Sequence, residues 1–158
     1  LFPRHEVPGY GLTRCNADAH WQCRLANAAR ATLADRTVHL GAQAVADFGL
    51  SAARVHNGLV ISGDRFVATS AESHALRQEL PDALAVEMEG AAVAQVCHDF
   101  GVPFAAVRTI SDRADDSAHV DFNRFVSDVA SCYSAAMLLA CLQAQTQANA
   151  EAAAKAKA

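Results

Sequence analysis

The sequence is short of nearly everything that marks a nucleic-acid, membrane or metal protein. Lys and Arg number 13 against 17 Asp and Glu, for a net charge of −4. There is no basic footprint, so neither nucleic acid nor an anionic membrane is expected as a partner. The five cysteines, Cys15, Cys23, Cys97, Cys132 and Cys141, are odd in number, scattered, and never spaced as CxxC. Reduced thiols in a cytoplasm are therefore expected, not a disulfide framework. Seven histidines are equally scattered, without HExxH or a paired Cys/His set, so no metal or other cofactor is expected. No unbroken apolar run approaches the roughly eighteen residues that a transmembrane helix needs. The opening Leu1-Phe2-Pro3-Arg4-His5-Glu6 lacks the basic-then-apolar order of a signal peptide. It also lacks an initiator Met, and the expectation is a chain that begins within a longer protein.

What is present suits one soluble α/β domain. Hydrophobic residues make up 52% of the 158 and charged residues 19%. Residues 1–16 carry Pro3, Pro8, Gly9 and Gly11 and read as loop. Asn16 or Asp18 is placed to cap a helix over 19–33, with Trp21, Leu25, Ala28 and Ala29 on one face. A second helical run covers 38–48, with Gly49 as its stop. Leu59-Val60-Ile61-Ser62 is a compact apolar run after Asn57-Gly58 and reads as a buried parallel strand. Thr69 or Ser70 opens a helix that ends before Pro81. Residues 83–87 form a second strand, 90–99 an Ala-rich amphipathic helix, and 103–110 a third, nearly all-apolar strand. This alternation argues for a parallel sheet with right-handed crossovers. The last helix is predicted over 119–143, capped by Asp121, with Phe122, Phe125, Val126, Val129, Tyr133, Ala136, Met137 and Ala140 as its buried stripe. Residues 144–158 form an Ala-rich tail without an apolar stripe, expected to fray.

The chain is organised around Val86-Glu87-Met88-Glu89-Gly90 and its companion Arg108-Thr109-Ile110-Ser111-Asp112. Each follows an apolar run and places carboxylates where a strand should end, the edge at which open parallel sheets hold ligands. Glu87 and Glu89 have a bland alternative, since acidic residues favour the first turn of a helix. Met88 between them suits a sugar instead, with carboxylates on hydroxyls and a thioether on the ring face. Asp112 closes an apolar run, so partial burial is expected to raise its pKa and suit it to general-acid work. A helix cap, or an ion pair with Arg108 or Arg113, is the alternative. Phe66, just past the first strand, is either core or an aromatic wall for a flat ligand.

Ser62-Gly63-Asp64-Arg65-Phe66-Val67, Val86 to Ala92, and Val102-Pro103-Phe104 through Val107 to Asp115 together resemble the bacterial 5′-methylthioadenosine/S-adenosylhomocysteine nucleosidases of the nucleoside phosphorylase superfamily. The similarity runs over about 1–142. It implies a three-layer αβα phosphorylase/hydrolase-like fold lacking its amino-terminal half, with 1–143 as the carboxyl-terminal part of one domain. It also implies a small-molecule nucleoside substrate, a homodimer, and hydrolysis of the N-glycosidic bond with release of adenine. By resemblance, Phe66 stacks on adenine and the backbone of Val67 contacts it. Met88 packs on the ribose, Glu89 binds its hydroxyls, and Glu87 and Arg108 line the site. Ser111 and Asp112 meet the purine's five-membered ring, Asp112 supplies the proton, and Phe122 closes over the ligand. The family's glycine-rich loop and water-activating glutamate belong to the absent half. Two alternatives stand beside this reading: a purine nucleoside phosphorylase, and a non-catalytic fragment that binds nucleoside or dimerises.

Overall fold

The computed structural model describes residues 4–112 and 122–156. Five helices, a short 3₁₀ turn and two strands follow one another among them. Helix α1 (Ala19–Ala34) begins where the Asp18 carboxylate accepts the Trp21 N–H at 2.9 Å. That carboxylate satisfies one of the donors that a helix start leaves without partners. Ala26, Ala28, Ala29 and Thr32 are its buried positions. Helix α2 (Arg36–Asp47) is broken at Gly41, whose φ of 78° lies in the left-handed region open to glycine. The expected 38–48 run is therefore two helical pieces about a kink. Gly49 ends it with φ 60°.

Strands β1 (Leu59–Ser62) and β2 (Ala83–Glu87) pair in parallel, with Ser62 opposite Glu87. Helix α3 (Ser70–Glu79) connects them, and Thr69 caps it by accepting the Glu72 N–H at 3.2 Å. The Thr69 hydroxyl also donates to the Glu72 carboxylate at 3.0 Å, so one residue pair fixes where the crossover helix starts. Helix α4 (Gly90–Asp99) follows β2 after two residues.

The third strand expected over 103–110 is absent: the sheet of the described residues has two strands. The composition of that segment suits a strand, but a strand also needs a paired neighbour to complete its ladder, and no strand of the described residues pairs with it. Its recorded backbone tie is Asp18 N–H to Phe104 C=O at 2.6 Å.

Helix α5 runs from Phe122 to Lys155, with a π-turn at Val126–Ala130. The predicted start at His119 and the Asp121 cap lie outside the described residues. Beyond Gln143, where fraying is expected, the helix continues to Lys155; alanine, in which the segment is rich, has the highest helix propensity. The Gln145 amide donates to Asn149 at 2.8 Å one turn on. By length and composition α5 is apolar enough to cross a bilayer. Scattered Ser and Gln residues hide this from a search for unbroken apolar runs.

The buried stripe of α5 packs along α1. Phe125, Val129, Tyr133 and Met137 form the core with Ala29, and Leu33, Phe48, Val55 and Val107 close around them. Phe125 meets Phe48 edge-to-face at 5.5 Å. Phe122 and Val126, expected in the stripe, are 40% and 41% exposed. The core is thus helical and lies beneath α1 and α2, whereas the sheet and α4 carry the sequence motifs.

Candidate active site

The carboxyl end of β2 and the start of α4 build the centre of the site. Glu87 is the last residue of β2, and its side chain turns back onto the helix that follows. One oxygen accepts the Gly90 N–H at 2.8 Å and the other at 2.9 Å. The second oxygen also accepts the Glu89 N–H at 3.3 Å. A Cβ on residue 90 would stand 2.7 Å from this carboxylate, so the close approach uses the missing side chain of glycine. The bland alternative therefore describes the geometry of Glu87, which caps the amino terminus of α4 from the preceding strand.

Arg108 reaches the cluster from the ladderless segment. Its guanidinium pairs with the Glu87 carboxylate and lies 3.3 Å from that of Glu89. The two contacts differ in worth. The Glu87 side chain is 12% exposed and that of Glu89 69%. A solvated pair contributes about 0–1 kcal/mol, whereas charged hydrogen bonds away from water contribute about 1.5–3 kcal/mol each. Glu87 thus sets where Arg108 sits, and Glu89 has an oxygen and most of its surface turned to solvent. Burial pushes the Glu87 carboxyl pKa up. Hydrogen bonds from Ser62, Gly90 and Glu89, with the Arg108 charge, outweigh it and hold the pKa below the usual glutamate value.

Ser62 is a member of the site that sequence reasoning used only as a strand end. Its hydroxyl accepts the Ala91 N–H at 3.1 Å and bonds Glu87. The signal was the register of the two predicted strands, which sets Ser62 opposite Glu87.

The contacts of this centre are made by Ser62, Glu87, Glu89, Gly90 and Arg108. Ser111 donates to the Asp112 carboxylate at 2.6 Å, and both are half-buried, three and four residues past Arg108. Arg108 is engaged by the glutamates, and Arg113 lies outside the described residues. Met88 stands between the two glutamates at 40% exposure, and Phe66 beyond β1 at 44%. Val67 is half-buried, and Phe122 opens α5. Among the described residues no three His, Cys, Asp or Glu side chains stand together as a metal would require. Chemically, the cluster offers solvent-facing acceptors at Glu89 and a held cation at Arg108; Met88 and Phe66 present exposed apolar faces, and Ser111 and Asp112 form a hydrogen-bonded pair.

Comparison with known proteins identifies the family and the fold. The family model of the Phosphorylase superfamily matches residues 7–143. The chain belongs to that superfamily. Among solved structures, this phosphorylase-superfamily chain is similar to the 5′-methylthioadenosine/S-adenosylhomocysteine nucleosidase of Neisseria meningitidis in complex with methylthio-immucillin-A. The two share 32% identity over 88% of this chain and 52% of that one, with a TM-score of 0.68. The Streptococcus pneumoniae nucleosidase with a transition-state inhibitor matches at 29% identity, covering 87% and 51%, with a TM-score of 0.65. The Streptococcus pyogenes nucleosidase with 5-methylthiotubericidin matches at 28%, covering 89% and 51%, also at 0.65. The chain spans about half the length of these relatives. The fold is that of the nucleosidases, represented by part of it.

Proposed function

We propose that this chain carries the base- and ribose-binding side of a nucleosidase that hydrolyses the N-glycosidic bond of 5′-methylthioadenosine and S-adenosylhomocysteine. The observation that carries the reading is the Glu87–Arg108–Glu89 cluster at the carboxyl end of β2. It stands in a chain 32% identical to a nucleosidase bound to a methylthio nucleoside analogue. Glu89 receives the ribose hydroxyls and Met88 covers the sugar face. Phe66 stacks on adenine, with the Val67 backbone at its edge and Phe122 over the ligand. Glu87 and Arg108 hold the floor, and Ser111 orients Asp112.

In the reaction, the bond between the anomeric carbon and the purine nitrogen breaks, and its electron pair leaves with the base. Asp112 delivers a proton to the five-membered ring. Water adds to the ribosyl cation and gives up a proton, so that one water is consumed for each adenine released. General acids of this kind contribute about 10²–10⁴-fold. In this reading the protein is a cytoplasmic homodimer serving methionine salvage.

The test is adenine release from 5′-methylthioadenosine by the purified chain and by Asp112→Asn. Release that the substitution lowers by about 10²-fold or more is the expected result. Release that depends on phosphate identifies a phosphorylase instead. Adenine binding without release identifies a half-site that binds without turnover. A folded chain with neither release nor binding overturns the proposal.

A further inference from the structure

Ser62 is the polar end of an otherwise apolar strand, and it is half-buried. Its hydroxyl has one proton to give and lone pairs to accept with. It accepts the Ala91 N–H at 3.1 Å. Its proton goes to the Glu87 carboxylate, which as an anion can only accept. Ala91 N–H is one of the donors that a helix start leaves without partners inside the helix. A single hydroxyl therefore ties the end of β1 to the first turn of α4 and to the last residue of β2.

From Glu87 the contacts run outward. The Glu87 carboxylate pairs with Arg108, and Arg108 lies 3.3 Å from the Glu89 carboxylate. Ser62 stands at the inner end of this series and Glu89, with its side chain 69% exposed, at the outer end. The inner links are shielded from water, since the Glu87 side chain is only 12% exposed. A donor lost there costs more than one lost at the surface. Without the Ser62 proton, Glu87 keeps its bonds to α4 but loses its hold on the β1 side, and the oxygen against which Arg108 rests is no longer fixed from both directions. The backbone at this point is held separately. The Gly63 N–H donates to the Glu87 C=O at 3.1 Å, so the turn that leads to Phe66 and Val67 keeps its anchor whatever side chain stands at 62.

We propose that Ser62 is a positioning residue for the ribose: it does not touch the ligand, but through Glu87 and Arg108 it sets the Glu89 carboxylate that receives the ribose hydroxyls. The proposal rests on the nucleosidase reading, because it needs a ribose at Glu89.

The test compares two ligands of the chain by titration calorimetry: 5′-methylthioadenosine, which carries the ribose, and adenine, which does not. Ser62→Ala should weaken binding of 5′-methylthioadenosine by about 10-fold, as loss of a charge-assisted hydrogen bond does, and leave adenine binding unchanged. Ser62→Thr keeps the hydroxyl on a side chain suited to a strand and should restore the affinity. An NMR titration of the carboxyls should find Glu87 protonating at higher pH in Ser62→Ala than in the parent, because a donor to its ionised form is gone, and returning in Ser62→Thr. Undiminished affinity for 5′-methylthioadenosine in Ser62→Ala overturns the proposal alone, as does an equal loss of both ligands, which marks a merely structural hydroxyl, or an unmoved Glu87 titration. A parent chain that binds neither ligand overturns the nucleosidase reading and this proposal with it.

Discussion

Glu87 is gripped from three sides, by the backbone of α4, by Ser62 on β1, and by Arg108. Its removal should therefore loosen three elements at once. Glu87→Gln should cost about 1–3 kcal/mol at neutral pH, the usual penalty for disrupting a buried charged hydrogen-bond set. The pH dependence has a definite sign. In the unfolded chain Glu87 titrates near the ordinary value of about 4.3; in the folded chain it titrates lower. The folded state then binds fewer protons, so this stabilisation is complete above the ordinary value and is lost as pH falls through the folded one. Urea unfolding as a function of pH should show a shallower acid decline in Glu87→Gln than in the parent. Tyr133 makes the opposite case. It is 4% exposed, and its hydroxyl has no hydrogen-bond partner among the described residues. Burial raises its pKa, with Arg36 pulling the other way. Tyr133→Phe removes a buried polar atom that costs about 1–3 kcal/mol, and thermal unfolding should show the variant as stable as the parent or more so.

Among the elements, α5 carries the core. Phe125→Ala removes the ring that joins α5 to Phe48 at the end of α2 and should cost about 3–5 kcal/mol. At this chain length that is a fall in Tm of roughly 10 °C by calorimetry. Ending the chain after Gln143 should shift Tm by less than about 2 °C, because side chains that stand in water contribute little to stability. The elements that the sequence revealed are those whose signals are local. β1, β2 and α4 could be read from apolar runs bounded by turn residues, and Thr69 and Asp18 from their capping chemistry. What escaped depends on distant partners. Residues 103–110 have the side chains of a strand, but no strand of the described residues pairs with them. The break at Gly41 was hidden because glycine is compatible with both a helix and a positive φ. Ser62 entered the site through cross-strand register, and the capping geometry of Glu87 through a fold-back that spacing alone did not separate from an outward-facing carboxylate. The cover role proposed for Phe122 rests on resemblance alone.

At the scale of the whole molecule, stability and chemistry are gathered in different places. The buried cluster lies among α1, α2 and α5, and the site lies on the sheet and α4. The segment 102–110 touches both. Val107 packs against the core, and its neighbour Arg108 holds the two glutamates. That adjacency makes the segment a thermodynamic link. A strand that paired with 102–110 would fix the backbone of Arg108, and a ligand that ordered Arg108 would in turn favour the paired backbone. Coupling between two binding events is reciprocal, so each must strengthen the other by the same factor. A ribose-bearing ligand seated on Glu89 should tighten any strand partner of 102–110 as much as that partner tightens the ligand, and titration calorimetry in either order would read the same number.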